Sequence, residues 1–195
     1  MRHGFAVIVA AVLFVSGTSH SSLARAANYD IDPAHAAVNF KISHLGLSWT
    51  FGRFNDLSGQ FAIDTSNPEK SSFALTVKVD SLDTANKKRD GHLLSPDFFN
   101  SKQFPVVTFK STSVKPIEGG YEVTGELTLH GVAKTISFPL KGGKSAEFPK
   151  GTERTGFTTE LIVKRSDYEM DKMAEAIGND VHISISFEGV MQSAK

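Results

Sequence analysis

Cysteine is absent from all 195 residues of this chain. That excludes thiol catalysis, thiolate metal sites and disulfide staples together, so stability must come from core burial and closed hydrogen bonding, which a chain of this length can supply. Catalytic signatures are missing too: there is no G-x-S-x-G elbow, no G-x-x-x-x-G-K-[ST] phosphate loop and no H-E-x-x-H pair. Basic excess is missing as well, since Lys plus Arg and Asp plus Glu both number 21. A nucleic-acid partner would need a basic stripe to neutralise phosphates, and none is present.

Long apolar runs are scarce. The one that exists, Phe5 to Val15, follows the basic lead Met1-Arg2-His3 and precedes Ala24-Arg25-Ala26, an A-x-A cleavage pattern. The run is too short for a spanning helix, and the arrangement is that of a secretory signal peptide cut near Ala26. We therefore expect two segments, a signal peptide over residues 1–26 and one domain over residues 27–195. Removing Arg2 and Arg25 leaves 19 basic against 21 acidic residues, a net charge near −2. No comparable apolar run recurs, so the mature chain should be soluble, with no stable membrane insertion. Export without a lipobox cysteine points to the periplasm of a Gram-negative host, with secretion to the medium as the alternative.

What the mature chain does have is period two. Val38, Phe40 and Ile42 alternate with polar residues, as do Phe73, Leu75, Val77 and Val79, then Tyr121, Val123, Leu127 and Leu129, then Ile136, Phe138 and Leu140. Phe157, Leu161 and Val163 follow, and Val181, Ile183, Ile185 and Phe187 close the series. Each run puts large apolar side chains on one face, the pattern of half-buried antiparallel strands. Turn signals punctuate them at Asn67-Pro68, Glu118-Gly119-Gly120, His130-Gly131, Gly142-Gly143 and Gly178-Asn179-Asp180. With Phe51 to Asp64 and Pro105 to Lys115 added, the count is eight strands.

One stretch breaks the alternation. From Thr84 to Asn100 the composition turns helical, with Asp83 or Thr84 as the expected cap, Lys87 and Lys88 in the first turns and Pro96 opening a second short turn with Phe98 and Phe99. The expected fold is all-β: an eight-stranded antiparallel barrel, or two stacked sheets, with a helical insertion between strands 3 and 4. Of the 15 Phe residues, 13 lie in the mature chain. They fit either a packed core or an apolar tunnel lined by rings.

Several blocks resemble one known family. Tyr29 to Phe61 (YDIDPAHAAVNFKISHLGLSWTFGRFNDLSGQF), Arg89 to Ser111 (RDGHLLSPDFFNSKQFPVVTFKS), Gly125 to Leu140 (GELTLHGVAKTISFPL), Val163 to Met170 (VKRSDYEM) and Gly178 to Gly189 (GNDVHISISFEG) are similar, in order and spacing, to the YceI family of exported lipocalin-like proteins. The resemblance implies an extended eight-stranded lipocalin-like barrel holding a polyisoprenoid, isoprenoid quinone or similar amphiphile in its bore. One departure is visible: where that family usually has Gly after Arg-x-Asp-Tyr, this chain has Glu169, followed by Met170 and Met173.

A bore of this kind would be lined by Phe40, Ile42, Phe54, Phe61, Phe73, Leu75, Val77, Phe109, Leu127, Leu129, Phe138, Phe157, Leu161, Ile183 and Ile185, with Leu93, Phe98 and Phe99 closing one end. Candidate head-group anchors are His35, His44, Arg53, Arg89, Asp90, His92, Arg165 and Asp167; for each, a surface ion pair or loop-fixing hydrogen bond is the competing role. Adjacent Arg89 and Asp90 cannot face each other on one helix, so each should pair elsewhere. The five mature His residues lack close metal-ligand spacing, and nothing local argues for catalysis, so neither an enzyme nor a metal or cofactor is expected. The expected function is that of a periplasmic lipid-binding and transport protein. A carrier of fatty acid or fatty amide, or a ligand-free stress-linked interaction module, would use the same barrel. Barrel closure does not force dimerisation, although end-to-end sharing of a tail longer than one bore allows a homodimer.

Overall fold

The computed structural model describes residues 26–192. The expected signal peptide, apart from Ala26, lies outside them. Ten strands and one helix follow in order: β1 Ala27–His44, β2 Ser48–Phe54, β3 Leu57–Ile63, β4 Ser72–Lys78, β5 Leu82–Asp83, α1 Lys87–Leu93, β6 Val106–Ile117, β7 Gly120–Leu129, β8 Val132–Glu147, β9 Glu153–Lys164 and β10 Ile177–Met191. Eight of the strands close a ring in the order β1-β3-β4-β6-β7-β8-β9-β10, every pair antiparallel, with β10 returning to β1. The expected barrel is therefore present, and α1 stands between its third and fourth ring strands.

β1 is the organising strand. Its first half pairs with β3, Tyr29 opposite Phe61, while its second half pairs with β2, Val38 opposite Phe54 and His44 opposite Ser48. The alternating segment Phe51 to Asp64 is thus two strands, broken at Asn55-Asp56. Beyond the break, β2 finds only the two-residue β5 on its far side, through Arg53–Asp83 and Phe54–Leu82. The edge of β2 from Ser48 to Gly52 has no strand partner among the described residues. Here the insertion after β5 completes the wall.

Three local expectations change. Gly142 and Gly143 form a bulge inside β8, with φ of 125° and 87°, because β8 continues to Glu147 against β9 after a register shift. Gly178-Asn179-Asp180 lies within β10, where the Asn179 side chain accepts from the Ser166 N–H and the Gly178 carbonyl accepts from Arg165. Helix α1 is capped by Asn86, whose side chain accepts from the Arg89 N–H at 3.0 Å. Asp83 instead accepts from the Ala85 N–H, and Thr84 is tied to Asp90.

The barrel is packed in one half. Strand register sets Tyr29 beside Phe61, Phe61 beside Phe73, and Phe157 beside Phe187. The rings meet there: Tyr29 stacks on Phe61 at 4.9 Å, and Phe157 stands edge-on to both Phe61 and Phe73 at 5.5 Å. Offset and edge-on contacts of this kind add to what area burial alone contributes.

Candidate functional site

At the other half of the barrel two inward positions of β2 in succession are small, before the strand ends on Phe54. Thr50 and Gly52 oppose Ile42 and Phe40, and the Phe40 ring lies so close to Gly52 that an added Cβ would fall 2.3 Å from it. Where β3 and β4 supply Phe61 and Phe73, β2 supplies only Thr50 and Gly52 before Phe54. The result is a cavity of about 380 Å³ in this half, between the second half of β1, the insertion and the segment from Arg165 to Ile177.

Eight of the expected lining residues border this cavity: Phe40, Ile42, Phe54, Leu93, Phe98, Phe99, Leu129 and Ile183. The other ten do not. Phe61, Phe73, Phe109, Phe138 and Phe157 are buried in the packed core, and Leu75, Val77, Leu127, Leu161 and Ile185 pack against it. Both halves carry the same alternation, but register brings aromatic rings together in one and small residues in the other. Ten cavity residues were not among the expected lining or anchor residues: Val38, Ser43, Thr50, Thr84, Val107, Val163, Met170, Met173, Ile177 and Val181. Alternation puts Val38, Val163 and Val181 in apolar rows without assigning them to the bore; the two methionines sit in an irregular segment without period.

Of the expected anchors, His44, Arg89, His92 and Arg165 border the cavity. His35 sits in the bulge of β1 between Ile31 and Ala36, bonded to Asp32 at 2.9 Å. Arg53 points outward from β2 toward Asp83. Asp167 is exposed on the 3₁₀ turn Arg165–Tyr168. Asp90 is consumed locally: its Oδ1 accepts from the Thr84 N–H at 2.9 Å and from the Thr84 hydroxyl at 2.5 Å. Arg89 converges on the same residue, donating from Nε to Thr84 Oγ1 at 2.8 Å and from Nη2 to the Thr84 carbonyl at 2.6 Å. The adjacent Arg and Asp thus share one partner, and buried Thr84 fixes where the insertion leaves the sheet.

Arg165 is the most unusual group in the wall. It is only 5% exposed, yet its partners are carbonyls rather than carboxylates. Nε donates to Gly178 O at 2.9 Å, Nη1 to Lys172 O at 2.9 Å and also to Met170 O, and Nη2 to Ile177 O at 3.0 Å. Burial pulls its pKa down, opposed by the charges of Asp171 and Glu175. The guanidinium therefore organises the Met170 to Gly178 segment over the cavity while presenting positive charge to it.

The two segments over the cavity touch each other through Asp97, which pairs with His92 at 3.0 Å and with Lys172 at 3.6 Å. The His92 hydrogen bond, more than the Lys172 charge, lowers the Asp97 pKa. These are exposed pairs and hold the segments weakly. On the outer side of β2 a shallow groove runs past Trp49, Phe51, Arg53 and Asp83, and shares Thr50, Thr84 and Arg89 with the cavity. Cavity and groove therefore meet at these three residues, where β2 faces the insertion. No Asp or Glu lines the cavity, so its polar atoms are chiefly hydrogen-bond donors and hydroxyls. Among the described residues no group of three or more His, Asp or Glu could hold a metal ion.

Comparison with known proteins places these features in a lineage. A family model described as the YceI-like domain matches residues 29–189. The protein YceI of Salmonella arizonae is 39% identical over 186 residues, covering 94% of this chain and 95% of that protein. Among solved structures, BcnA of Burkholderia cenocepacia has a TM-score of 0.73 at 26% identity, covering 82% of this chain and 99% of that one. A polyisoprenoid binding domain from Saccharophagus degradans, implicated in plant cell wall breakdown, shares the fold with a TM-score of 0.63 at 20% identity, over 84% and 98% of the two chains.

Proposed function

The chain belongs to the YceI-like domain family, and from that membership, together with the half-hollow barrel, we propose that it is a periplasmic carrier for the chain of an isoprenoid lipid or isoprenoid quinone. The cavity carries this reading: its wall is formed mainly by Val, Ile, Leu, Phe and Met, beside a cluster of donors and without a carboxylate. An apolar chain gains about 0.8 kcal/mol for each buried methylene-sized group, so a few isoprene units outweigh the cost of ordering them. The volume of about 380 Å³ falls near the lower end of ordinary small-molecule pockets, roughly 300–1,000 Å³. A long tail would fill it with one segment and leave past Thr50, Thr84 and Arg89, where the cavity meets the outer groove.

The donor set suits a head group that accepts hydrogen bonds, such as a quinone carbonyl, a phenol oxygen or a phosphate. Arg89, Arg165 and the His44 and His92 imidazoles are the anchors in this reading. That a barrel of the same fold is a polyisoprenoid binding domain supports the choice of an isoprenoid chain over a fatty acid. The test is to express the exported protein, purify it without detergent and analyse the organic extract by mass spectrometry. One isoprenoid class near stoichiometry is expected. A fatty acid or fatty amide would replace the ligand class, and an empty extract after exposure to host lipids would leave a ligand-free barrel.

A further inference from the structure

Exposed large apolar side chains are concentrated at one end of the molecule. Leu45, Leu47, Trp49 and Phe51 occupy a single hairpin, with Leu47 83% and Phe51 65% exposed. Register extends the patch across the barrel wall: Phe51 lies opposite Lys41, Lys41 opposite His182, and His182 opposite Ile162, which is 56% exposed. The hairpin tip is held in place, because the Leu45 N–H donates to the Ala176 carbonyl at 2.7 Å. This is a fixed protrusion whose apolar side chains face outward.

A cation and an imidazole are interleaved with these rings. The Lys41 ammonium stands 4.8 Å from the centre of the Trp49 ring, and the His182 ring meets Trp49 edge-on at 5.0 Å. The row Phe51-Lys41-His182-Ile162 contains no acid. Asp180 lies opposite Lys164, and Glu160 and Asp83 belong to the next row, where Asp83 meets Arg53. On a mature chain expected to be weakly acidic, this face alternates aromatic, aliphatic and cationic groups, the composition that favours a membrane interface. It also borders the groove that shares Thr50, Thr84 and Arg89 with the cavity.

We propose that the β1–β2 hairpin face docks on a lipid bilayer bearing anionic head groups, so that an amphiphile passes between the bilayer and the cavity beside β2. The route rests on the carrier reading above; the docking does not. A second copy of the chain is the rival occupant. The protruding Leu45-Gly46-Leu47 tip argues against it, since a partner strand would pair with the unpaired edge of β2 and leave that tip uncovered, whereas a bilayer covers both tip and rings.

Trp49 is the sole tryptophan of the chain, so its emission reads the contact directly. Titrating the intact protein with vesicles of phosphatidylethanolamine and phosphatidylglycerol should shift the emission to the blue, and brominated acyl chains should quench it. Binding should weaken several-fold as salt rises from about 0.05 to 0.5 M, because the Debye length shortens. The double variant Leu47→Ser/Phe51→Ser should bind about tenfold more weakly with an unchanged circular dichroism spectrum. The distant pair Ile117→Ser/Phe148→Ser should bind as wild type. A folded protein whose emission ignores these vesicles overturns the proposal, as does equal loss in both double variants. A blue shift that grows with protein concentration alone, with a doubled mass by light scattering, assigns the face to a second copy and also overturns it. Lipid extraction separates the two proposals: a protein that carries lipid but ignores vesicles refutes docking alone, and one that docks but carries none refutes the carrier reading alone.

Discussion

Introducing a large ring into each half of the barrel distinguishes the hollow half from the packed one. Ile183 borders the cavity and lies in register between Phe40 and Leu161, whereas Val123 in the packed half is 0% exposed. In Ile183→Phe the additional carbons enter vacant volume and, at about 0.8 kcal/mol per buried methylene, stabilise the unliganded protein by roughly 1–2 kcal/mol. In Val123→Phe the same kind of enlargement meets a filled core and costs about 1–3 kcal/mol. For a domain of this size the melting temperature should rise by about 2–6 °C in the first variant and fall by a similar or larger amount in the second. Thermal unfolding of delipidated protein, followed by circular dichroism, reads the sign. Lipid extracted from Ile183→Phe should fall well below the wild-type amount, because the ring occupies the same space. Equal destabilisation by both variants, with lipid content unchanged, would refute the half-hollow barrel.

Arg165→Met leaves four carbonyls without their donor, Met170 O, Lys172 O, Ile177 O and Gly178 O. The expected cost is roughly 3–5 kcal/mol in urea unfolding; a loss below about 1 kcal/mol would show that the segment does not depend on the guanidinium. Glu169 has φ 59° and ψ 27°, so Glu169→Gly should stabilise by about 0.5–1 kcal/mol while Glu169→Ala does not, with the melting temperature as readout. Asp32 is held well below the ordinary carboxylate range, first by Arg154, then by His35 and the Ala34 N–H. A depressed folded pKa contributes stability that is present above the unfolded value of about 4 and is lost as pH falls below it. Arg154→Gln should therefore flatten the acid-side fall of the urea midpoint; curves parallel to wild type would exclude this linkage.

The antiparallel strands were legible because they alternate, as in Val181 to Phe187 or Tyr121 to Leu129, but alternation fits a barrel and two stacked sheets alike, and it was the resemblance to the YceI family that pointed to closure. Gly142-Gly143 misled because paired glycines mark turns and bulges alike, and only the partner strand decides between them. β9 continues to pair with β8 as far as Glu147, so the bulge wins. Asn86 was passed over as a cap because Asp83 and Thr84 carry equally suitable oxygens. Those oxygens are committed to Ala85 and Asp90.

The site was half legible for a different reason. A row of inward positions identifies a wall, but whether that wall faces a void depends on the residues across the barrel. Phe73 and Phe40 are indistinguishable in sequence, each an aromatic residue in an alternating strand. Phe73 meets Phe61 and Phe157 in the packed core, while Phe40 meets Gly52 and Phe54 and borders the cavity. The break at Asn55-Asp56 creates this difference, because it separates β2 from β3 and lets β2 present Thr50 and Gly52 where β3 presents Phe61. The same break leaves the β2 edge unpaired beside Arg89. A small departure from regular pairing therefore shapes the cavity and sets its boundary with the outer groove on the side of the barrel where the exposed Trp49 and Phe51 also stand.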